Sequence, residues 1–393
     1  MPELPPALLS REGLPPLWRE EELFFEGDAY YDAVLRDLAG AHKHVTVEVY
    51  IFEDDAFGRR FFAALEDCAA RGVRVQILLD GLGSHRFIQR LQTIKFHPNI
   101  RVKVYNPHPW TFSYRRWHEL GLFWGSFLRR LWWINRRDHR KIITIDGEVA
   151  YVGSFNITGD HLRSQNPEAW RDIGLRLVGD VAPLLVLAML RVWSLRAYLK
   201  RKKALLGHLR TRFTHPDLRL NHSFALRRSS YKDFLARFNG AERRIWIKPG
   251  YFLPRRRLVR LMARAAKRGV DVRVLLSRKS DVFYYTVMQT YHLPRLIAAG
   301  VKIYRYDPVI VHSKSYIIDD TVSVGSTNLN HRSFMHDLEV DVFVQHPDNR
   351  RALDANFEAM QDDATAITQE WLRRRSWWEK IAAEMVFLFR HWN

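Results

Sequence analysis

Two distant stretches of this chain read nearly alike: AARGVRVQILL at 69–79 and AKRGVDVRVLL at 266–276. In each, an alanine- and base-rich helical stretch ends at Gly72 or Gly269, a residue suited to closing a helix. Period-2 alternation follows, as Val73, Val75, Ile77, Leu79 and as Val270, Val272, Val274, Leu276, which predicts a strand. An apolar strand is expected before each, over 45–52 and 245–252, and VKVYNP at 102–107 corresponds to YRYDP at 304–308. Repeated strand–helix–strand order predicts two α/β halves, each with a mixed sheet covered by helices. We place them at 1–205 and 206–393, joined by a basic linker around 200–220. A length of 393 residues suits two cores better than one.

Aligning the halves exposes an insertion. Pro107 stands 32 positions before His139, whereas Pro308 stands 4 before His312. The extra segment, about 108–137, holds nine aromatics, six arginines and one acid. The chain carries a net charge of +19, and 181–216 contains eight bases and no acid. Such a balance points to an anionic partner: nucleic acid, anionic lipid or a phosphorylated substrate. The single Cys68 excludes a disulfide framework or a multi-cysteine zinc site. The longest uncharged apolar run, Val181–Leu190, is shorter than the ~18 residues of a membrane span and is expected to be a buried helix. The opening residues offer no cleavable hydrophobic segment, so secretion is not expected.

Chemistry enters with a second duplication. HRKIITIDGEVAYVGSFN (139–156) and HSKSYIIDDTVSVGSTN (312–328) are both His-x-Lys-x4-Asp followed by Gly-Ser-x-Asn, with Gly153 and Gly325 opening the second part. On a strand, His139 and Lys141 would share a face, as would His312 and Lys314. An imidazole beside an ammonium makes a poor core and a good phosphate site. Asp146-Gly147 is a hairpin signal, so Asp146 and Asp319 are read as turn residues without acid–base work. Ser154, Asn156, Ser326 and Asn328 follow each hairpin, where donors could reach an oxyanion. Asp172 and Glu339, on later strands, are suited to accept an imidazole N–H and set its tautomer.

At these residues the chain resembles the phospholipase D superfamily, and within it the bacterial cardiolipin synthases with two such motifs. The resemblance runs from about Phe24 to the C-terminus and includes EVYIFEDDAFGRRF (48–61), NRRDHRK (135–141) and NLNHRSFMHDLEV (328–340). It implies two homologous α/β/α sandwich halves with mixed sheets, related by a pseudo-twofold axis, and one active site between them. It further implies His139 as nucleophile and His312 as general acid and then base, within a donor cage of Lys141, Lys314, Asn156, Asn328, Ser154 and Ser326. No cofactor or metal is expected, because paired ammonium groups supply the positive charge. The implied reaction joins two phosphatidylglycerol molecules into cardiolipin with release of glycerol. Hydrolysis of phospholipid by water, cleavage of nucleic acid, and a catalytically inactive membrane-binding module stay open as alternatives.

The tryptophans favour lipid over nucleic acid. Trp110, Trp117, Trp124, Trp132 and Trp133 crowd the insertion, with arginines at the flanks. At the C-terminus, an amphipathic helix is expected after Ser376, with Trp378 and Trp392 on its apolar stripe. Arginine-edged aromatic helices suit the headgroup boundary of an anionic bilayer, where they lie in plane. The expected partners are phosphatidylglycerol and a membrane surface rather than nucleic acid. The expected place is the cytoplasmic face of a bacterial inner membrane.

Overall fold

The computed structural model describes residues 15–107, 136–194, 215–282, 284–378 and 383–384. Strands β1 (Glu20–Phe24), β2 (His44–Val49), β3 (Arg74–Asp80), β4 (Ile100–Tyr105), β5 (Ile142–Ile145), β6 (Val149–Gly153) and β7 (Gly174–Val178) form one sheet, ordered β1-β7-β6-β5-β2-β3-β4. The second sheet contains β8 (Leu218–Leu220), β9 (Arg244–Pro249), β10 (Asp271–Ser277), β11 (Lys302–Tyr306), β12 (Lys314–Ile318), β13 (Thr321–Gly325), β14 (Val340–Phe343) and β15 (Ala364–Ile367). Its order is β15-β11-β10-β9-β12-β13-β14-β8. Without β15 the two orders are the same, so the repeat is a repeat of topology. In both sheets three strands run parallel and the rest antiparallel, as expected of mixed sheets.

Alternation along the strands assigns the layers. On β6, Tyr151 packs in a core with the helices Gly27–Ala39 and Ala56–Ala70, while Ala150 and Val152 point the other way. On β9, Ile245 and Ile247 pack with Phe224–Gly240 and Arg256–Lys267, and Trp246 faces away. The two inner faces meet in a shared core that includes Ile142, Val152, Ile317 and Val324. The helix Val181–Trp193 is buried there, as its composition predicts. The helix Ala56–Ala70 illustrates the local logic. Asp55 caps its start by accepting from Gly58 N–H at 2.6 Å, and Phe57, Phe61, Leu65 and Cys68 form its buried stripe. The chain then leaves it through Gly72 at φ 91°. Truncating fully buried Phe61 to alanine should cost about 3–5 kcal/mol.

Two details depart from expectation. Leu218–Leu220 is the edge strand β8 of the second sheet rather than linker, because it pairs with β14. The histidines also stand just outside their strands: β5 begins at Ile142 and β12 at Lys314. The boundary at 205/206, the insertion apart from its last two residues, and the run 200–203 lie outside the described residues. No helix among the described residues is long and apolar enough to cross a membrane.

Candidate active site

The lead-in to each histidine pairs with the opposite half instead of its own sheet. Asp138 bridges Leu338 in parallel, with His139 N–H donating to Leu338 O at 3.0 Å and Leu338 N–H to Arg137 O at 2.9 Å. Arg171 bridges Val311 in the same way, and His312 N–H donates to Arg171 O at 3.0 Å. The residue following each partner is a carboxylate, Glu339 after Leu338 and Asp172 after Arg171. The pairs therefore cross between halves. His139 Nδ1 lies 3.1 Å from Glu339 Oε2, and His312 Nδ1 lies 3.1 Å from both oxygens of Asp172. All four side chains are buried.

The glycines of the motif keep the carboxylate strands close. A Cβ on Gly153 would sit 2.3 Å from Ile173 O, and one on Gly325 would sit 2.2 Å from Val340 O. Ser154 Oγ donates to Ile173 O and accepts from Ile173 N–H, at 3.2 and 3.1 Å. Ser326 Oγ bonds Glu339 and accepts from Val340 N–H at 3.0 Å. Both hydroxyls are thus engaged in holding the strands that carry Asp172 and Glu339. Each asparagine is gripped by its amide oxygen: Asn156 accepts from Ile51 N–H at 3.3 Å, Asn328 from Tyr251 N–H at 3.1 Å. The amide nitrogen of Asn156 is buried without a hydrogen-bond partner, a donor left unsatisfied in the core of the site.

Lys141 Nζ donates to His139 O at 2.7 Å, and Lys314 Nζ donates to His312 O. Burial and then the charge of Lys314 push Lys141 down to about 7. Burial alone outweighs Asp172 and Glu339 at Lys314, which falls to about 8. An anion bound between the two amines would favour their charged forms, since an opposite charge nearby offsets the effect of burial. Asp146 and Asp319 are turn residues with φ of 53° and 51°. Asp146 accepts from the N–H groups of His42, Lys43 and His44, and Asp319 from those of Glu242, Arg243 and Arg244. Each pins its hairpin to the entrance of β2 or β9, far from acid–base work. The first hairpin has a three-residue loop and the second a two-residue loop, which accounts for the unequal motif spacing.

Sequence reasoning missed the residue behind Asp172. His161 Nδ1 lies 2.8 Å from Asp172 Oδ2, close enough for charge to act though not aligned as a hydrogen bond. Asn156 N–H donates to His161 Nε2 at 3.1 Å, which leaves the ring proton on Nδ1, facing Asp172. In the second half, Asn328 N–H donates to Ser333 Oγ at 3.2 Å. Serine thus replaces histidine five residues after the asparagine, a difference visible on aligning the repeat. Burial raises the Asp172 carboxyl, but His312 and His161 outweigh it and hold it well below the usual range. Glu339 has no second imidazole, and burial pushes it up to about 7 against Lys141, Ser326 and Ser333. Burial lowers the imidazoles of His139 and His312. His139 falls far, with Lys141 and Lys314 adding to the effect, whereas Asp172 opposes the fall of His312 to about 4. His161, Asp172 and His312 bring ligand-type atoms within 4.8 Å of one another, the one such cluster among the described residues. Both imidazoles there turn Nδ1 toward one carboxylate, which favours its ionised form.

Of the tryptophans assigned to lipid, Trp378 alone is described. It is 65% exposed and stacks at 3.6 Å on Trp377, which is 57% exposed. Trp110, Trp117, Trp124, Trp132, Trp133 and Trp392 lie outside the described residues.

Comparison with known proteins identifies the family. The family described as "Cardiolipin synthase, PLD-like domain" matches residues 34–170 and 234–361, one segment in each half. A cardiolipin synthase of Staphylococcus aureus (strain N315) is 29% identical over 92% of this chain and 71% of its own length. Cardiolipin synthase B of Salmonella typhi is 28% identical over 95% of this chain and 89% of its own. In fold, the chain is similar to phosphatidylserine synthase of Haemophilus influenzae (TM-score 0.63, 13% identity, 94% of this chain and 92% of that one). It is also similar to polyphosphate kinase of Porphyromonas gingivalis (TM-score 0.55, 15% identity, 98% of this chain and 58% of that one). With matched segments covering most of both halves, the chain belongs to the cardiolipin synthase family with PLD-like domains, phosphatidyltransferases of the phospholipase D superfamily.

Proposed function

We propose that the protein makes cardiolipin from two phosphatidylglycerol molecules through a phosphatidyl-histidine, as a peripheral enzyme on the cytoplasmic face of a bacterial inner membrane. The observation that carries this reading is the crossed pairing of two buried histidines with carboxylates of the opposite half, beside two buried lysines. Lys141 and Lys314 neutralise the phosphodiester oxygens, and the unpartnered amide of Asn156 supplies a further hydrogen-bond donor. His139, neutral and with Nδ1 turned to Glu339, attacks phosphorus through Nε2. The P–O bond to glycerol breaks, and His312 gives its proton to the departing oxygen. His312 then takes the proton of a hydroxyl on the second lipid, that oxygen attacks phosphorus, and the P–N bond breaks.

The unequal carboxylates support this division of labour. An ionised Asp172 stabilises an imidazolium on His312, as an acid requires, while His139 is the imidazole more strongly held neutral. An anion entering between the lysines raises both imidazoles toward neutrality. The exposed Trp377–Trp378 pair supports contact with a bilayer surface.

Phosphatidylglycerol vesicles in EDTA should give cardiolipin and free glycerol in equal amounts. His139→Ala should lose both by about 10³-fold or more. Phosphatidic acid without cardiolipin would make the protein a hydrolase, and inert lipid with degraded single-stranded DNA would sink both lipid readings. Because Lys141 and Lys314 discharge near 7 and 8, kcat/KM should fall as pH rises through that window. Lys141→Arg should move the fall to higher pH; a pH profile unchanged by that substitution would remove the lysines from substrate binding.

A further inference from the structure

The two helices on the outer face of the second sheet carry an excess of positive charge. Phe224–Gly240 holds four bases and Arg256–Lys267 five, against one acid, Asp233, which Arg219 and Arg237 engage. The helices at the same place in the first half, Gly27–Ala39 and Ala56–Ala70, hold five acids and three bases. The scaffold therefore does not require this charge. Arg228 and Lys232 on one helix, and Arg256, Arg260 and Arg264 on the other, recur every four residues and are all exposed. None of the five pairs with a carboxylate among the described residues. Phe224 opens the same stripe, four residues before Arg228, and is 68% exposed. On the opposite faces Phe234, Phe238, Leu258 and Met262 are fixed in the core, so the stripe is held rigidly.

The stripe borders the active site. The Arg255 guanidinium lies 4.9 Å over the Tyr231 ring, with Nη1 3.2 Å from Met335 Sδ, and the Tyr231 ring lies 5.1 Å from that of Phe334. Phe334 and Met335 belong to the segment between Asn328 and Glu339. Arg227, one turn from Phe224, lines a crevice with Ser333 and Glu339. On the other flank, the helix Gln369–Arg374 packs on Leu293–Ala298, which packs on Arg256–Lys267. The exposed Trp377–Trp378 pair follows directly from that layer.

We propose that this face docks the protein on an anionic bilayer, its bases against lipid phosphates and Phe224 among the headgroups at the end nearest the active site. The inference rests on the lipid reading above and names the surface through which the substrate is met. Each base beside a negatively charged leaflet adds to binding, and a row fixed on packed helices adds without first being ordered. An exposed phenylalanine edged by arginines suits the headgroup boundary. Single-stranded nucleic acid is held by rings set along a basic groove, on which successive bases stack. Here the one exposed ring stands at the end of the row.

The test is co-sedimentation of the full chain with vesicles of equal parts phosphatidylglycerol and phosphatidylcholine. Arg228→Gln, Arg256→Gln and Arg260→Gln together should weaken partition about 100-fold. Phe224→Ser alone should weaken it about fivefold. Arg36→Gln, Arg60→Gln and Arg74→Gln remove the same charge from exposed positions of the first half and should weaken it about threefold or less. Turnover of a short-chain phosphatidylglycerol dissolved as monomers should be equal in wild type and the Arg228/Arg256/Arg260 variant, showing a folded chain with an intact cleft. Unchanged partition of that variant, or an equal loss in the first-half control, overturns the docking face. A matching fall in monomer turnover also overturns it, since the arginines would then act on the chemistry. So does a wild type whose binding of single-stranded DNA, but not of vesicles, depends on these arginines. A wild type that partitions as expected yet turns over neither lipid overturns the transferase reading and leaves the docking face standing.

Discussion

The two halves carry the same motif on the same strands, yet the carboxylate behind each histidine is set differently. Asp172 stands between His312 and His161, whereas Glu339 is bonded by His139 and Ser326. One additional imidazole keeps Asp172 ionised, while Glu339 rises to about 7. A duplicated scaffold supplies two identical histidines, but the proposed transfer needs one nucleophile and one acid. The carboxylates behind them are made unlike outside the motif, at the position occupied by His161 in one half and Ser333 in the other. A second unlike pair sits deeper. Glu48 of β2 is buried against Arg140, while its counterpart on β9, Lys248, has the amide of Asn356 as partner.

The largest effect should come from neutralising the two carboxylates separately. Asp172→Asn is expected to lower kcat by about 10²–10³-fold, and Glu339→Gln by about tenfold. Equal losses, read in the same vesicle assay, would erase the asymmetry between the halves. His161→Ser copies the second half into the first. It should reduce kcat about tenfold with little change in KM, since it acts through Asp172 on proton delivery; wild-type kcat would reduce the His161–Asp172 contact to packing.

Lys248 tests the deeper pair. Burial lowers its pKa to about 7, so between that value and about 10.4 the unfolded chain binds more protons than the folded one. Stability contributed by this position therefore rises with pH across that window. Lys248→Met should make the rise shallower by about 1 kcal/mol per pH unit, measured by urea unfolding at pH 7, 8 and 9. An unchanged slope would mean that the ammonium is not deprotonated on folding.

The smallest effect should be the symmetric one. Asp146 and Asp319 are each held below the usual carboxyl range, since their backbone N–H bonds outweigh the effect of partial burial. Each contributes stability above its unfolded pKa and loses it as pH falls through the lower, folded value. Asp146→Asn and Asp319→Asn should each cost about 1 kcal/mol at pH 7 and less below pH 3. Unequal costs would show that the shorter second turn changes more than loop length.

Much of this was legible in the chain because the signals are local. Alternation in 73–79 and 270–276 specifies strands, Gly72 and Gly269 mark helix ends, and Asp146-Gly147 marks a turn. Each depends on neighbours a few residues away. The histidine lead-ins were misread as strand because their period is right, but their backbone groups pair across the halves instead. Asp172 and Glu339 could be named as partners, though not matched to their histidines. His161 gave no local sign of its own, since it matters through Asp172; only alignment of the repeat sets it against Ser333.

By itself, the sequence determined the duplication, the two His-x-Lys pairs, the turn aspartates and a site suited to phosphate, because each is written in short-range spacing; the phosphodiester reaction is what the family resemblance implies. Only the tertiary structure decided which carboxylate lies against which histidine and that His161 makes the two carboxylates unequal. Those relations join residues up to 200 positions apart, as His139 and Glu339 are. Nothing in a period of two or 3.6 residues can specify them; they follow from the pairing of Arg171 with Val311 and of Asp138 with Leu338 where the two sheets meet.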